Sequence, residues 1–455
     1  MSDIQAILAE NEKLTQEKLC ANADLIDQSR RFPRENLQAL GKAGVLGLMI
    51  PAEYGGAGAG LDEMSQVLEH QAQGCASTAM VTLMHFCATA VIAAKGSDAL
   101  KREILPACAH GQHLTTLAFS EGGSGGHFYA PVSEVRQDGG KKTLSAAKSF
   151  VTSAGEADSY VVSARKAGAT AFTESNLYLI AKNTTGLATQ GPFEGLGLAG
   201  NASAPMSLTH VAIDDAARLG PEGSGFQSML EVVLPHFQIG VASVSMGLAK
   251  AAHQIIVGRM GARKYEHTGG AALSAIPRVQ FLVAEMTLAV NSGKAYLRET
   301  IRKALAADPA AMLDVLGVKA VAADACLAVV SRAMTLGGGW AFGRLERIFR
   351  DAQAAAVMAP SSDVLKDFIG KASLGLRKSN PRPCRASCVT RRFRRRSTCI
   401  PRTTAMRHAR HRGNILRHWE WLRRWCNEVW VQLWVGICGT TLGNLLKVNG
   451  GPGWT

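Results

Sequence analysis

Charged residues are scarce in this sequence, and the cysteine spacings of metal sites are missing from residues 1–376. Only 19% of the 455 residues are charged and 47% are hydrophobic. That balance is typical of a compact globular protein, and the length predicts two or three domains. Residues 1–13 are polar and include acidic side chains, which excludes the basic, apolar start of a secretory signal.

Five of the ten cysteines are scattered through residues 1–376 without the short spacings of a metal site. The sequence therefore predicts no metal centre. These cysteines are expected to be reduced, buried thiols of a cytoplasmic protein: Cys20, Cys75, Cys87, Cys108 and Cys326.

One stretch, residues 76–94, looks apolar enough for a membrane span, but we expect no span in this chain. The run 76–94 comes nearest to the roughly 20 strongly apolar residues that a span needs. However, it is rich in small residues and contains Thr78, Thr82, His85 and Thr89. We therefore expect a buried helix there.

The net charge of +14 comes from the end of the chain. Residues 377–455 contain 15 Arg and 2 Lys against 2 Glu, so residues 1–376 sum to −1. Six of the seven Trp also lie in 377–455. One interpretation is a nucleic-acid- or membrane-binding segment, in which Arg contacts phosphate and Trp stacks or lies at an interface. The other is a disordered, out-of-frame or read-through translation, and on that interpretation no nucleic-acid partner is expected.

The residue patterns divide the remaining chain into three parts. Residues 1–112 are predicted to form helices, 113–218 a β domain and 219–376 a helical bundle. Helical spacing of apolar residues occurs in 35–40, 64–73, 223–263, 279–305 and 311–336. Short β-type runs occur at 114–120, 149–152, 160–164, 177–181 and 206–213. Helices, then strands, then helices predict an α+β chain.

Five segments combine glycine-rich turns with side chains suited to a site. A glycine-rich turn after a strand lets backbone N–H groups approach a planar ring or a phosphate closely. The segments are 117–126 (LAFSEGGSGG), 148–158 (KSFVTSAGEAD), 197–205 (GLAGNASAP), 225–265, and 336–363 (LGGGWAFGRLERIFRDAQAAAVMAPSSD). In order and spacing they resemble the acyl-CoA dehydrogenase family over residues 5–376.

The resemblance implies an overall architecture and a reaction. The architecture is an N-terminal helical domain, a middle β-barrel and a C-terminal four-helix bundle, assembled as a homotetramer or dimer with FAD held across a subunit interface. The reaction is α,β-desaturation of an acyl-CoA thioester with hydride transfer to flavin N5. An electron-transferring flavoprotein would reoxidise the FAD.

The same resemblance implies roles for individual residues. It places Phe119, Ser120, Phe150 and Thr152 beside the flavin, with the Thr152 hydroxyl near N5. Two further residues, Gly126 and Ser203, would meet the thioester or its CoA arm.

Other implied cofactor contacts come from the helical part. Arg263 would pair with the FAD pyrophosphate of a neighbouring subunit. The turn at Gly337-Gly338 would meet the diphosphate arm, and Ser361 would donate a hydrogen bond to the cofactor.

The segment 358–363 departs from the family pattern where the reaction needs a base. The family has Tyr-Glu-Gly-Thr-Ser-Glu, and its first Glu removes the α-proton. This chain has Met-Ala-Pro-Ser-Ser-Asp, so Ala359 holds that place and cannot accept a proton. Candidate replacements are His236, Glu231 and Asp363. A single His on such a helix is more often a packing or surface residue, Asp363 is interpreted as structural or capping, and Glu231 is the more distant candidate.

Three outcomes therefore stay open from the sequence. A relocated base would allow desaturation. Elimination or flavin oxygenation would need no α-proton abstraction. The chain would otherwise be a non-catalytic relative.

Overall fold

The computed structural model describes residues 3–308, 310–343 and 345–376. The basic segment 377–455, which carries the nucleic-acid, membrane and out-of-frame interpretations, lies outside the described residues. Along the described chain helices come first, then strands, then helices again. The predicted α+β order is therefore confirmed.

Helices fill the chain before the first strand. They are α1 (Ile4–Leu14), α2 (Cys20–Ser29), α3 (Arg34–Lys42), α4 (Leu61–Gly74), α5 (Ala76–Lys95) and α6 (Asp98–Ala109). A π-helical segment, Thr15–Leu19, joins α1 to α2. The Asp3 carboxylate starts α1 by accepting the backbone N–H of Gln5 at 3.0 Å. The helical patterns predicted at 35–40 and 64–73 lie inside α3 and α4.

Two helical stretches are long and apolar enough to cross a membrane by length and composition alone, Ala76–Lys95 and Gly225–Ala262. Inside the protein, 89% and 83% of their most apolar windows are buried. Helices that form a protein core share this property. The prediction of a buried helix over 76–94 is confirmed.

Seven strands form two sheets in the described middle part. They are β1 (Thr115–Ala118), β2 (Val135–Asp138), β3 (Lys141–Val151), β4 (Ser159–Arg165), β5 (Ser175–Ala181), β6 (Leu187–Thr189) and β7 (Ala204–Ala212). One sheet has the order β1-β4-β5 and the other β2-β3-β7-β6. Strands β1 and β4 are parallel, whereas the other pairs are antiparallel. Apolar side chains of both sheets share one core.

The sequence did not predict β2 and β6. Three of the four side chains of β2 are exposed, so no apolar run marks it. A local signal was present, because Gly139-Gly140 connects β2 to β3 with both glycines at positive φ. Such a two-residue turn is typical of a β-hairpin.

The helices after the strands supply the rest of the core. They are α7 (Gly225–Ser228), α8 (Leu234–Ala262), α9 (Pro277–Leu305), α10 (Ala311–Phe342), α11 (Glu346–Val357) and α12 (Ser362–Ser373), with a π-helical segment at Met229–Val233. Helix α10 packs against α8, α9 and α11. It departs from helical geometry at Gly338, where φ is 54°. The predicted glycine turn is therefore a kink within α10.

The predicted burial is confirmed for four of the five thiols. Cys75, Cys87, Cys108 and Cys326 are buried and unpaired. Cys20 is an exception, because it begins α2 on an exposed face.

Candidate functional site

A cavity of about 730 Å³ lies against the β1 and β3 strands. Its wall is built from 117–126, 149–152, 193–203 and 353–359, together with single side chains from α5, the π-helical segment and α8. Strand ends, a long loop and the end of α11 thus meet at one place. Each of these four wall segments overlaps one of the five segments that the sequence analysis singled out.

Backbone pairing brings the first two wall segments together. The Ser149 N–H donates to the Ser120 carbonyl at 2.8 Å, and Glu121 and Lys148 form a β-bridge. Because β1 ends at Ala118 and β3 at Val151, these contacts place Ser120 and Thr152 on the same cavity wall.

A buried ion pair holds this junction. Lys148 Nζ donates to Glu121 Oε1 at 2.6 Å, and both side chains are at most 2% exposed. Glu121 also accepts the backbone N–H groups of Val132 and Ser133, at 2.8 and 2.9 Å. Lys148 donates in addition to the Ser163 carbonyl at 2.6 Å. The pair thereby ties the glycine-rich turn to β3 and β4.

The surroundings set the charge of this pair. Burial alone would raise the pKa of Glu121, but the Lys148 ammonium and hydrogen bonds from Lys148 and Ser133 outweigh it and hold the pKa below its usual range. Burial lowers the pKa of Lys148, and Glu121 counteracts that effect. Glu121 is the one titratable side chain among the described residues of the cavity wall, and Lys148 already engages it.

Aromatic rings form the apolar surface of the cavity. Phe119 lies nearly parallel to Phe128, with ring centroids 6.2 Å apart, and Phe237 of α8 contacts Phe128 at 6.4 Å. Where the cavity meets solvent, Phe150 and Phe193 lie 4.8 Å apart. Phe150 is 64% exposed, so its ring offers a large apolar area for a further partner.

Helix α11 fixes the loop 195–198, which forms part of the wall. Asp351 accepts the Leu198 N–H at 2.7 Å, and Arg350 donates to the Leu196 carbonyl at 3.0 Å. Arg350 is itself held by both carboxylate oxygens of Asp27, at 3.0 and 2.5 Å. A Cβ at Gly197 would lie 2.3 Å from the Arg350 carbonyl oxygen, so only glycine permits this approach.

Burial raises the pKa of Asp351 to about 6, although the Leu198 N–H and the nearby Arg347 oppose the rise. The carboxyl is 2% exposed. It therefore changes charge within a pH range that is readily accessible to experiment.

Ala359 lies on the cavity wall beside Met358, at the end of α11. The carbonyl oxygens on either side of it, those of Met358 and Pro360, both accept hydrogen bonds from Lys319 of α10. Lys319 is fully buried, and burial lowers its pKa to about 7. The position that the resemblance assigns to the family's base is thus an alanine on the cavity wall.

The structure puts none of the candidate replacement bases on the cavity wall. Glu231 is exposed and pairs with Lys95 at 3.4 Å. His236 hydrogen-bonds through Nδ1 to the Val232 carbonyl at 2.6 Å, and burial lowers its pKa. Asp363 is exposed in the first turn of α12, where a carboxylate stabilises the helix end.

The predicted cofactor and substrate residues fall into two groups. Those on the cavity wall are Phe119, Ser120, Gly126, Phe150, Thr152 and Ser203. Those elsewhere are Arg263, Gly337, Gly338 and Ser361. Arg263 is exposed at the end of α8, with its guanidinium 5.2 Å from the Tyr265 ring. Its contact with a cofactor of a neighbouring copy stays a prediction, as does that of the glycine turn.

Sequence reasoning missed three supporting residues: Lys148, Asp351 and Lys319. The first two lie in segments that it quoted, but without a role. Lys319 had a usable signal, because it is an isolated charge within the apolar run Gly317–Ala323. A charge at the centre of a buried helical pattern is rare unless it has polar partners.

The chain matches three models of one family along the described residues. They are the N-terminal domain of acyl-CoA dehydrogenase over residues 2–112, the middle domain over 116–211 and the C-terminal domain over 223–374.

Individual relatives and structures agree with these matches. A probable acyl-CoA dehydrogenase of Mycobacterium tuberculosis is 26% identical over 365 residues, covering 79% of this chain and 92% of the relative. Among solved structures, butyryl-CoA dehydrogenase from Megasphaera elsdenii has a TM-score of 0.77 at 23% identity, covering 82% and 99% of the two chains. The FAD complex of PigA has a TM-score of 0.76 at 18% identity, covering 83% and 98%. On the family matches, with the N-terminal helices, middle sheets and C-terminal helices all in place, this chain belongs to the acyl-CoA dehydrogenase family.

Proposed function

We propose that this chain is an FAD-dependent oxidoreductase that oxidises an acyl-CoA thioester, with the flavin ring and the reacting carbons in the cavity described above. The observation that carries the proposal is the convergence of Phe119, Ser120, Phe150 and Thr152 on one wall, with Ala359 on the same cavity. The glycine-rich turn leaves space for a planar ring. A Cβ added at Gly125 or Gly126 would have no atom within 4 Å. The exposed ring of Phe150 offers a stacking surface.

In this proposal the residues present bind and orient more than they react. FAD, when bound, supplies the acceptor for the hydride that leaves the thioester β-carbon. Phe119, Phe128 and Phe237 exclude water from the reacting carbons. The Glu121–Lys148 pair and the Asp351–Leu198 contact hold the two sides of the cavity at a fixed separation.

A proton must leave the α-carbon as the hydride leaves the β-carbon, so that a carbon–carbon double bond forms. No described wall residue is free to accept it, because Ala359 has no acceptor and Lys148 already engages Glu121. The absence of a positioned base typically costs about 10²–10⁴-fold in rate. We therefore propose slow desaturation by the natural sequence.

A second candidate follows from the same missing base. Flavin oxygenation needs no α-proton abstraction, and an apolar wall at Met358 and Ala359 is compatible with it. Elimination of a β-leaving group avoids the proton only where an α-carboxylate departs as carbon dioxide and its bonding pair forms the double bond. A non-catalytic role would leave bound flavin that no thioester reduces.

Further parts of the proposal rest on the family resemblance. We propose a homotetramer or dimer in the cytoplasm, reoxidised by an electron-transferring flavoprotein. Light scattering of the purified chain, and electron transfer to that flavoprotein, would check the assembly and the acceptor.

The first test is the visible spectrum of the purified protein. Bound flavin is expected, and a protein that takes up none even after FAD addition would refute the cofactor assignment. The second is anaerobic mixing with a panel of acyl-CoA thioesters. Slow bleaching supports desaturation. A product that forms without anaerobic bleaching by the thioester, and that needs both oxygen and an added flavin reductant such as NADH, supports flavin oxygenation.

The substitution Ala359→Glu tests the base directly. It should restore a carboxylate on the cavity wall and speed anaerobic bleaching by about 10²–10⁴-fold. Ala356→Glu is the matched control, because Ala356 also lies in α11 but is not on the cavity wall. If the flavin of the natural protein bleaches and that of Ala359→Glu bleaches no faster, the α-proton leaves by another route.

A further inference from the structure

Lys319 is a buried cation with an unusual set of partners. Its Nζ donates to the Met358 carbonyl and, at 2.6 Å, to the Pro360 carbonyl. The side chain is fully buried in α10, and burial is the one cause of its lowered pKa, with no carboxylate opposing it. Keeping an ammonium in such a place is costly, so its two hydrogen bonds need an explanation.

The two accepting carbonyls flank Ala359. Holding the Met358 carbonyl orients the planar peptide group that precedes Ala359, and holding the Pro360 carbonyl orients the one that follows Pro360. Because the proline ring also fixes φ at residue 360, the Cβ of Ala359 between these two anchors has little freedom of direction. Ala359 and Met358 line the cavity, while the carbonyls of residues 358 and 360 are engaged by α10. Lys319 therefore holds this wall segment through its backbone carbonyls, without lining the cavity itself.

An apolar residue at 319 would avoid the cost of burying an amine, but it would remove the partner of two carbonyl groups. An unsatisfied buried acceptor is unfavourable, so the segment would then rearrange to find other partners. A neutral amine has two N–H donors and an ammonium has three, so either form of Lys319 can serve both carbonyls.

We propose that Lys319 is a positioning residue, which directs residue 359 toward the thioester side of the cavity and gives that wall its fixed apolar shape. The direction of residue 359 and the shape of the wall are inferred from the two hydrogen bonds of Lys319 alone. Naming the thioester as what faces it rests on the proposed function.

The main test uses a reporter at residue 359. In Ala359→Glu the added carboxylate removes the α-proton at a rate that depends on its placement. Adding Lys319→Met should lower anaerobic flavin bleaching by butyryl-CoA or octanoyl-CoA about 10-fold or more at unchanged flavin content. Lys319→Arg, which keeps two donors, should recover part of that loss. Equal or faster bleaching in the double variant would overturn the proposal.

The matched control is Lys366→Met in the Ala359→Glu background. Lys366 is a half-exposed lysine of α12, paired with Asp324 of α10 at 2.7 Å. Exposed pairs contribute little to stability, so bleaching should be unchanged. A drop equal to that of Lys319→Met would show a general effect of losing a lysine near α10, and would overturn the specific role.

A flavin-independent measurement separates this inference from the proposed function. In Ala359→Cys the alkylation of the introduced thiol by iodoacetamide, followed by peptide mass spectrometry, reports on the segment itself. Adding Lys319→Met should speed alkylation about 10-fold, because the released segment opens more often. Buried Cys87 should stay unmodified and so report an intact fold.

The outcomes of the two measurements are distinct. Equal alkylation with and without Lys319, in a folded protein, overturns the positioning role whatever the flavin does. Faster alkylation in a protein that binds no flavin keeps the positioning role and refutes the proposed function. If Lys319→Met does not fold, the same comparison is made with Lys319→Gln, whose shorter side chain cannot keep both contacts of the lysine Nζ. Faster alkylation in Lys319→Gln supports the positioning role, and an unchanged rate overturns it.

Discussion

At the residue scale, the buried pair of Lys148 and Glu121 carries the strongest local consequence. Lys148→Met leaves the Glu121 carboxylate buried without its cation, which should lower the free energy of unfolding by roughly 3–5 kcal/mol. Adding Glu121→Gln removes the stranded charge and should recover part of the loss. Urea denaturation followed by circular dichroism measures both changes.

The control for that prediction lies on the same strand. Lys142→Met removes an ion pair to Asp215, whose carboxylate is about half exposed. Screening by solvent limits such a pair to about 1 kcal/mol or less. Similar losses for Lys142→Met and Lys148→Met would contradict a special role for the buried pair.

The sequence was enough to identify residues that line the cavity, but not the residues that hold the cavity wall in place. Ser120 and Thr152 were predicted together because the motifs that contain them resemble the family's flavin-contacting segments, and the structure places both on one wall. Lys319 supports Ala359 across 41 positions of chain, measured to Pro360. Such a partnership depends on how α10 packs, which no local spacing encodes.

At the scale of elements, the contact between α11 and the loop 195–198 is pH-sensitive. Asp351 has an ordinary pKa of 3.8 in the unfolded chain, and burial raises it to about 6 in the fold. The folded protein therefore binds the proton more tightly. The stability from this proton is fully present below about pH 4 and is lost as the pH rises through 6.

Asp351→Asn should remove that dependence while keeping an oxygen for the Leu198 N–H. Relative to the natural chain, its free energy of unfolding should rise by roughly 2 kcal/mol between about pH 4 and pH 6.5. Thermal denaturation across this range measures the difference. A constant difference across the range would contradict the burial effect.

Asp351→Leu separates charge from hydrogen bonding. It also lacks the titrating proton, but leaves the Leu198 N–H without its acceptor. It should therefore be less stable than Asp351→Asn by about 1–3 kcal/mol at every pH. Equal stability of the two variants would mean that the hydrogen bond contributes nothing.

Elements with a strong apolar period were predictable, and those without one were not. The patterns at 279–305 and 311–336 correspond to α9 and to most of α10, because buried faces of long helices impose a regular spacing. Strand β6 has three residues, none of them buried, so its sequence carries no such pattern. The kink in α10 was signalled only by its glycines, of which Gly338 adopts the left-handed φ.

At the scale of the whole molecule, charge is divided sharply along the chain. A chain ending at Leu376 has a net charge of −1 instead of +14, yet contains all three family-matched parts. We predict that this truncation keeps its bound flavin and loses retention on a heparin column. Loss of flavin on truncation would show that 377–455 contributes to the site.

The order of the three parts was predictable from the sequence, because each has its own composition. The contacts that join the three parts were not predictable, because pairs such as Arg350 and Asp27 lie 323 positions apart in the chain. Those distant contacts come from packing of whole elements, and a pattern read within a short window has no access to them.

The contact between Leu198 and Asp351, 153 positions apart, also bears on synthesis. At typical ribosomal rates, about 8 to 30 s separate the appearance of the two residues. During that interval the nascent middle strands have no α11 to complete the pocket. A ribosome-stalled product ending before Asp351 should thus be unable to retain a ligand there, so that ligand capture has to wait until α11 has been synthesised.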